Sequence, residues 1–188
     1  RTVMQYADLA DLRHYAGFDS EEDDDVLIAL LAAAAELING VTDRVFKIEA
    51  DGTRTFRRIW GEDGPFAGRM LYLHPHELAE TATSITGSPT VVYLPDNAPP
   101  YSRIMLDETD TVGWTYPTVI VGKWGYSISP PGTIVEVNLR LAKWLYGLRE
   151  TTTGDRPLVT PEGIYLTPNN LPADILAMLQ PYRKLRVA

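Results

Sequence analysis

The chain has 188 residues, of which 45% are hydrophobic and 22% charged, with no cysteine and a formal net charge of −8. This is the composition of an ordinary globular protein with one domain or two small ones. The missing cysteines exclude disulfides, thiolate metal sites and cysteine nucleophiles. The negative net charge argues against a general nucleic-acid binder, because such a protein needs lysine and arginine to neutralise phosphates.

The N-terminal part is predicted to be helical. Met4–Tyr15 has the apolar spacing of a short amphipathic helix, and Gly17 is placed to cap its C-terminus. Ser20 is then predicted to cap a second helix, followed by the acidic run Glu21–Asp25, whose charge suits the positive end of a helix dipole. The run lacks the ligand spacing of a calcium-binding EF-hand loop. A solvated helix start is favoured, and contact with a basic partner surface remains open.

The second helix continues through Val26–Val41, which is rich in leucine and alanine. Alanine has a high helix propensity, and small side chains in series allow a second helix to approach closely. The longest apolar run, Val26–Ala35, is too short to span a bilayer. We therefore expect a core helix and no membrane partner.

The periodicity then changes to that of β-strands. Val45–Ile59 is predicted to be a β-hairpin, because Asp51-Gly52 between alternating segments is typical of a type I′ turn. Further short strands are predicted at Met70–Leu73, Thr83–Thr86, Thr90–Leu94, Ser102–Leu106 and Val119–Tyr126. Together these elements indicate an antiparallel β region.

Two histidines lie just after one of these strands. His74 and His76 have a spacing that can share a metal, with Glu77 and Glu80 the nearest carboxylates and His14 the remaining histidine. A polar loop at a strand end is the favoured interpretation. We expect no metal and no cofactor.

The chain also lacks the patterns of common catalytic sites. It has no GxxxxGK[ST] or GxGxxG nucleotide loop and no GxSxG nucleophile elbow. The three histidines, none beside a suitable serine and aspartate, argue against a hydrolytic triad. We predict that the protein is not an enzyme and assign no catalytic residue. The alternative is an enzyme with a cleft between the helical and β parts, lined by His74, His76 and acids.

Aromatic residues recur toward the end of the β region. Trp114 and Tyr116 share a strand face by alternation, as do Trp124 and Tyr126. Such rows can stack on sugar rings or bases, but they more often form cross-strand pairs. A surface that stacks on bases usually also carries basic residues between the aromatic ones, and Lys123 is the only one here. The aromatic residues are therefore more consistent with packing inside the protein than with ligand binding.

The segment Pro130–Glu150 is predicted to be a long helix with an unusual distribution of side chains. Its polar stripe holds Glu136, Arg140, Lys143, Gly147 and Glu150, and apolar residues cover most of the rest. A surface helix normally has a narrow apolar stripe and a broad polar face. This helix is therefore central to its own domain or covered by a neighbouring subunit.

The C-terminal part is predicted to be an extended arm that ends in a short helix. A hinge at Thr151–Gly154 precedes an arm at Arg156–Asn170, and Pro172 opens a last helix that Pro181 should stop or kink. The tail Tyr182–Arg186 is basic, whereas the N-terminal part is acidic. Opposite charges at the two ends suit contacts between copies, although an exposed tail without a role is equally open.

These elements predict an α+β fold. A helical core of about four helices comprises residues 1–44 and 127–150, a β-rich insertion comprises residues 45–126, and a C-terminal extended arm with a short helix comprises residues 151–188. This arrangement makes the β region an insertion into a helical protein.

The order of several motifs resembles that of the head–tail connector (adaptor) proteins of tailed bacteriophages. The similar segments are Tyr15–Gly17, Ser20–Asp25, Asn39–Phe46, Val121–Tyr126, Pro130-Pro131 with Leu141–Glu150, and Leu171–Leu176 with Pro181–Arg183. The resemblance covers most of the chain, and the order of the motifs is its most specific feature. Small members of the family are essentially helical, so the β region is a departure.

The resemblance implies a structural protein of the virion neck, assembled in the host cytoplasm. Family members form a ring, usually of twelve copies, beneath the portal of the capsid. DNA passes through the ring without sequence-specific binding, and a stopper, head-completion or tail-terminator protein joins the tail side. The C-terminal arm commonly grips the portal, so deleting the chain from Thr151 onward should leave a folded core that no longer binds portal.

Two sets of candidate site residues follow from the resemblance. The proposed portal-binding set is Leu171, Ile175, Leu176, Leu179, Tyr182, Arg183, Lys184 and Arg186. The second set, for a subunit contact or the channel wall, is Glu136, Arg140, Lys143, Asp23, Asp24 and Asp25. An alternative function is a β-rich carbohydrate- or surface-binding module of a virion, which would use Trp114, Tyr116 and Trp124.

Overall fold

The computed structural model describes residues 5–18, 21–48, 50–58, 64–150, 159–160, 163–164 and 171–184. The chain divides into two compact units. The helical unit comprises residues 1–44 and 130–188, and the β unit comprises residues 45–129. The described part of the chain contains four α-helices and antiparallel strands, which confirms the predicted α+β class and its C-terminal helix.

The helical unit is built on two long helices that pack against each other. Its helices are α1 (Leu9–Ala16), α2 (Asp24–Thr42), α3 (Gly132–Glu150) and α4 (Ala173–Leu179). Both short helices, α1 and α4, contact α2 and α3. The buried core consists mainly of leucine, isoleucine and alanine from all four helices: Leu12, Leu27, Leu31, Ala34, Ala35, Ile38, Ile134, Val137, Leu141, Leu145, Ile175 and Leu179.

The ends of the first two helices differ in how well the sequence predicts them. Gly17 has φ 74° and its N–H donates to Arg13 O, which confirms the predicted cap of α1. The predicted start of the second helix after Ser20 is wrong, because α2 begins at Asp24 and Asp23 is its N-cap residue. Residues 21–23 form a turn instead, closed by a hydrogen bond from Asp24 N–H to Glu21 O at 3.3 Å.

Among the described helices, α2 alone is long and apolar enough to cross a membrane, by length and composition only. Its buried side chains, Leu27, Leu30, Leu31, Ala34, Ala35 and Ile38, form part of the helical core, where α2 packs against α3. A core helix of a globular protein passes the same length and composition test. Of the apolar window in α2, 44% is buried inside the protein.

The β unit contains two antiparallel sheets around one apolar core. The first sheet has the order β1 (Gly52–Phe56), β7 (Thr118–Gly122) and β4 (Ser84–Ile85). The second has the order β2 (Phe66–Ala67), β3 (Met70–Tyr72), β6 (Arg103–Leu106) and β5 (Val91–Leu94). Their shared core consists of Phe56, Leu71, Leu73, Leu78, Tyr101, Ile104 and Ile120.

The predicted hairpin at Val45–Ile59 is wrong. Residues 45–48 form no strand, and β1 pairs instead with β7, so that Gly52 lies opposite Gly122. The strand β7 buries Thr118, Ile120 and Gly122 and carries a neighbour on each edge. A central strand of this kind offers more buried cross-strand contact than a local hairpin does, so tertiary packing overrides the turn signal.

The C-terminal part returns to the helical unit. Two-residue strands β8 (Val159–Thr160) and β9 (Gly163–Ile164) pair with each other, and the remainder of the predicted arm between 151 and 170 lies outside the described residues. After α4, a 3-10 turn at Gln180–Tyr182 confirms that Pro181 ends the α-helix. The N–H of Lys184 then donates to Thr42 O at 2.9 Å, which ties the C-terminal turn to the end of α2.

Gly125 lies in a crowded part of the β unit. Its N–H donates to Glu77 O at 2.8 Å. A Cβ at this position would lie 2.4 Å from Ile48 Cδ1 and 2.9 Å from the backbone oxygen of Val45. Because one of these neighbours is backbone, a flexible side chain cannot relieve the clash by itself.

We expect Gly125→Ala to lower the free energy of unfolding by about 1–3 kcal/mol, the usual cost of overpacking. The control is Gly40→Ala in α2, where an added Cβ meets nothing within 4 Å. This substitution should stabilise the protein by roughly 0.5–1 kcal/mol, because alanine loses less backbone entropy than glycine in a helix. Chemical denaturation of both variants checks the pair, and equal stability of the two would contradict the described contact.

Candidate functional site

The polar stripe of α3 contacts α4 through an ion pair of Arg140. Arg140 Nε lies 2.8 Å from Glu136 Oε1, one helical turn earlier, and Arg140 Nη1 lies 3.4 Å from Asp174 Oδ2 on α4. The hydrogen bond that Arg140 donates to Glu136 raises the pKa of Arg140 above its ordinary value, so the guanidinium stays charged. Two of the predicted contact residues, Glu136 and Arg140, thus form a contact between helices of one chain.

The next residues along this side of α3, Lys143 and Tyr146, contact aromatic rings. Lys143 is exposed, and its Nζ lies 5.5 Å from the ring centroid of Tyr15 on α1. One turn later, the Tyr146 hydroxyl donates to Asp23 Oδ2 at 2.8 Å, and its ring packs 4.7 Å from that of Phe18. This side of α3 therefore anchors both α1 and the turn before α2.

The three predicted acidic contact residues have three different environments. Asp23 accepts the hydrogen bond from Tyr146, and Asp24 pairs with Arg13, whose Nη2 lies 2.5 Å from Asp24 Oδ1. Asp25 is exposed at the start of α2. The structure thus places Asp23 and Asp24 in contacts within the helical unit, while Asp25 faces outward.

The predicted portal-binding residues also separate into an inner and an outer group. Leu171, Ile175 and Leu179 are buried in the helical unit. Leu176, Tyr182 and Lys184 are half-buried, Arg183 is exposed, and Arg186 lies outside the described residues. The apolar side of α4 belongs to the core, so the surface available to a partner lies at Leu176 and in the basic turn that follows the helix.

Asn138 is a central residue that the sequence patterns did not single out. It is fully buried in α3, where its Oδ1 accepts hydrogen bonds from the N–H groups of Tyr6 at 3.2 Å and Ala7 at 3.0 Å. Its Nδ2 donates to Leu31 O on α2 at 3.0 Å. The signal for this role is a lone amide on the apolar side of the helical segment IVEVNLRLA, because buried polar side chains need partners.

The two closely spaced histidines of the β unit do not converge on a carboxylate cluster. His74 is exposed, and His76 packs against Trp124 with ring centroids 5.9 Å apart. Glu80 pairs with Lys123 at 2.9 Å, which raises the pKa of the Lys123 ammonium group. Within the described ranges, no group of three or more histidine or acidic side chains is placed to hold a metal ion.

The aromatic residues of the β unit pack in two separate groups. Trp124 lies beside Phe56, with centroids 6.0 Å apart, and its Nε1 donates to Gly52 O at 2.8 Å. Trp114 and Tyr116 both contact Phe66, at 5.8 and 4.9 Å. The two tryptophans pack against the apolar core, and Tyr116 is 43% exposed. Trp114, Tyr116 and Trp124, the residues that the carbohydrate-binding alternative would use, therefore do not form one row of stacked rings.

A group of exposed arginines on and just after β1 is a surface feature that sequence analysis did not identify. Arg54, Arg57 and Arg58 are exposed at one edge of the first sheet. The guanidinium of Arg54 lies 5.8 Å from the ring centroid of Trp124, and that of Arg58 lies 5.8 Å from the ring centroid of Tyr116. The available signal was the charge pattern of the segment TRTFRR.

Comparison with known proteins gives a match at the level of fold. No protein-family model and no curated protein match the chain. A chain in the structure of the neck of an empty GTA particle, computed with C6 symmetry, aligns with a TM-score of 0.61 and 16% identity over 97% of this chain and 92% of that chain. A chain in the virion of a native gene transfer agent (GTA) particle aligns over the same shares with a TM-score of 0.54 and 16% identity.

These alignments extend over nearly the whole of both chains. The helical unit and the β unit therefore both belong to the shared fold. At 16% identity the likeness concerns the fold alone.

Proposed function

We propose that this protein is a structural component of the neck of a phage-like virion. In this role it is a head–tail connector, or adaptor, that forms a ring beneath the portal and links the capsid to the tail. The observation that carries the proposal is the fold shared with a chain of the GTA neck over 97% of this chain and 92% of that chain. The proposal assigns no catalytic residue and no cofactor.

The motif order and the charge support this proposal. The similarity to adaptor proteins runs from Tyr15–Gly17 to Pro181–Arg183. The net charge of −8 suits a ring whose channel lets DNA pass, because an acidic wall does not bind phosphates tightly. The β unit lies within the span shared with the neck chain, so we propose that it is an integral part of the connector.

The proposed partners follow from the position of a connector. They are further copies of the chain in a ring, twelve by resemblance, the portal protein on the head side, and a stopper, head-completion or tail-terminator protein on the tail side. DNA passes through the ring without sequence-specific binding. The proposed location is the virion neck, after assembly in the host cytoplasm.

We propose that the outer residues at the C-terminus contact the portal. Leu171, Ile175 and Leu179 hold α4 on the helical unit, because they are buried there. The outer group then consists of Leu176, Tyr182, Arg183 and Lys184, and Arg186, which lies outside the described residues, is kept from the predicted set. Among the proposed subunit or channel residues, Asp25 and Lys143 face outward, whereas Glu136, Arg140, Asp23 and Asp24 also serve contacts inside the helical unit.

A double charge reversal, Arg183→Glu with Arg186→Glu, tests the portal contact. We expect it to weaken binding to the portal protein of the same particle by about tenfold or more, since opposite charges across an interface become like charges. Surface plasmon resonance or a pull-down with purified portal measures the effect. The control, Arg103→Glu, reverses an exposed charge of the β unit and should leave portal binding unchanged. Equal binding by all three proteins would contradict the proposed contact.

A further inference from the structure

The arginine edge, which we define as Arg54, Arg57 and Arg58, concentrates positive charge in an acidic protein. Three arginines fall within five residues of a chain whose net charge is −8. All three side chains are exposed, on and just after β1. A local cluster of opposite sign on an acidic molecule is a natural contact point for another acidic molecule.

Aromatic rings support two of these arginines. The guanidinium of Arg54 lies over Trp124, and that of Arg58 lies over Tyr116, each 5.8 Å from the ring centroid. Cation–π contacts of this kind favour particular positions of the guanidinium group. Less side-chain entropy is then lost when such a group binds a carboxylate.

The backbone of β1 adds a second feature. In the sheet order β1, β7, β4, the strand pairs with β7 on one side only, as far as the described residues extend. An edge strand of this kind presents unpaired N–H and C=O groups, and exposed charged side chains keep it from pairing with arbitrary strands. The edge is thus suited to a polar contact with a charged partner.

Copies of a chain with a charge of −8 repel one another, and local contacts between opposite charges offset part of that repulsion in a ring. The complementary surface is the acidic run before and at the start of α2. Glu21, Glu22 and Asp25 are exposed there. The Glu21 side chain is 87% exposed, and its Oε1 lies 3.8 Å from Arg13 Nη1, an ion pair that solvent screens. Asp23 and Asp24 are already engaged by Tyr146 and Arg13, which fixes the position of the run.

We propose that the arginine edge of one copy binds the acidic start of α2, Glu21 to Asp25, on the neighbouring copy. This inference rests on the ring proposed above and names one of its subunit contacts. A carboxylate partner fits better than a nucleic acid, because proteins that bind duplex DNA typically neutralise roughly 6–10 phosphates and this edge offers three arginines. Arginine also forms bidentate bonds with carboxylates.

A charge-reversal cycle tests the contact. One variant carries Arg54→Glu and Arg57→Glu, a second carries Glu21→Lys and Asp25→Lys, and a third carries all four substitutions. Ring formation is measured by mass photometry and electron microscopy, with and without the portal protein. We expect each half-reversed variant to lose at least about tenfold in assembly, and the full reversal to recover it, because opposite charges then face each other again.

Unchanged thermal unfolding of all three variants shows that they fold. If the two variants with one reversed surface assemble as the wild type does, this contact is wrong, but the proposed ring is not contradicted. A full reversal that folds but does not assemble would also overturn the inference. A wild-type protein that forms no ring with or without portal would instead count against the proposed function.

The absence of cysteine from the chain permits a second measurement that does not require a complete ring. A copy with Arg57→Cys and a size-tagged copy with Asp25→Cys are mixed and oxidised. We expect a disulfide between the two copies, and much less when the second copy carries Glu36→Cys, an exposed site on α2. Equal crosslinking to Asp25→Cys and to Glu36→Cys would overturn the inference.

Binding of duplex DNA by the wild type and by the Arg54→Glu, Arg57→Glu variant is measured as well. If this variant loses DNA binding but still assembles, the inference is also overturned.

Discussion

Replacing Asn138 with alanine is expected to lower the free energy of unfolding by about 2–4 kcal/mol, the cost of leaving several buried polar groups without partners. The Asn138 amide is fully buried and joins three elements of the helical unit. It accepts hydrogen bonds from Tyr6 and Ala7 N–H and donates one to Leu31 O. Urea denaturation followed by circular dichroism measures the loss, and amide exchange should show earlier opening at Tyr6 and Ala7.

Two further variants make the Asn138 test specific. Glu36→Ala replaces an exposed residue of α2 and should change stability by no more than about 0.5 kcal/mol. Asn138→Asp keeps an acceptor for Tyr6 and Ala7 but buries a carboxylate against Leu31 O, so it should destabilise the protein at neutral pH and recover part of the loss at low pH, where the carboxyl group is protonated. A loss below about 0.5 kcal/mol in Asn138→Ala would show that the amide does not hold the N-terminal segment.

Leu179→Ala is expected to cost about 2–5 kcal/mol, the range for removing a buried leucine side chain from a core. Leu179 is fully buried near the end of α4, a helix that contacts both α2 and α3. Leu176→Ala is the matched control, because Leu176 is only half-buried on the same helix and should lose roughly 1 kcal/mol. Thermal or chemical unfolding compares the two variants, and equal small losses would mean that α4 does not complete the core.

The burial of α4 changes how the C-terminal region should be tested. The sequence predicted that a chain cut at Thr151 keeps a folded core. In the structure such a cut removes Leu171, Ile175 and Leu179 from the helical core, together with the bond from Lys184 N–H to Thr42 O. We therefore expect the truncated chain to be destabilised, so surface variants such as Arg183→Glu separate portal binding from folding.

The helices were predictable from sequence because their signals are local. Gly17 caps α1 with a positive φ of 74°, and the apolar spacing of α2 and α3 marks their buried faces. The predicted helix start at Ser20 was wrong because any of the five consecutive acids can occupy the N-cap or the first turn of a helix, so the sequence does not fix where the helix begins. The contact between Arg13 and Asp24, 11 residues apart, could not be inferred from spacing alone.

The strands were harder to predict, because their pairing is decided by distant residues. Thr53 lies opposite Val121, 68 positions along the chain, and this long-range pairing replaces the local hairpin predicted at Asp51-Gly52. The predicted strand Val119–Tyr126 also ends early, at Gly122. Trp124 and Tyr126 then take separate partners, Phe56 and Phe46, instead of sharing one strand face.

The candidate site was only partly accessible to sequence analysis. The polar stripe of α3 was recognised, but its use inside the chain depends on Asp174, 34 residues after Arg140. Asn138 was missed because one polar residue barely alters a helical pattern. The arginine edge was missed because its role depends on which strand lies at the edge of a sheet, and this is set by long-range pairing.

The most direct test of the proposed function is cryo-electron microscopy of this protein mixed with the portal protein of the same particle. We expect a closed ring of copies docked coaxially on one end of the portal, with the basic C-terminal turn at Arg183 and Lys184 facing it. A protein that remains monomeric and leaves the portal bare would contradict the proposed function.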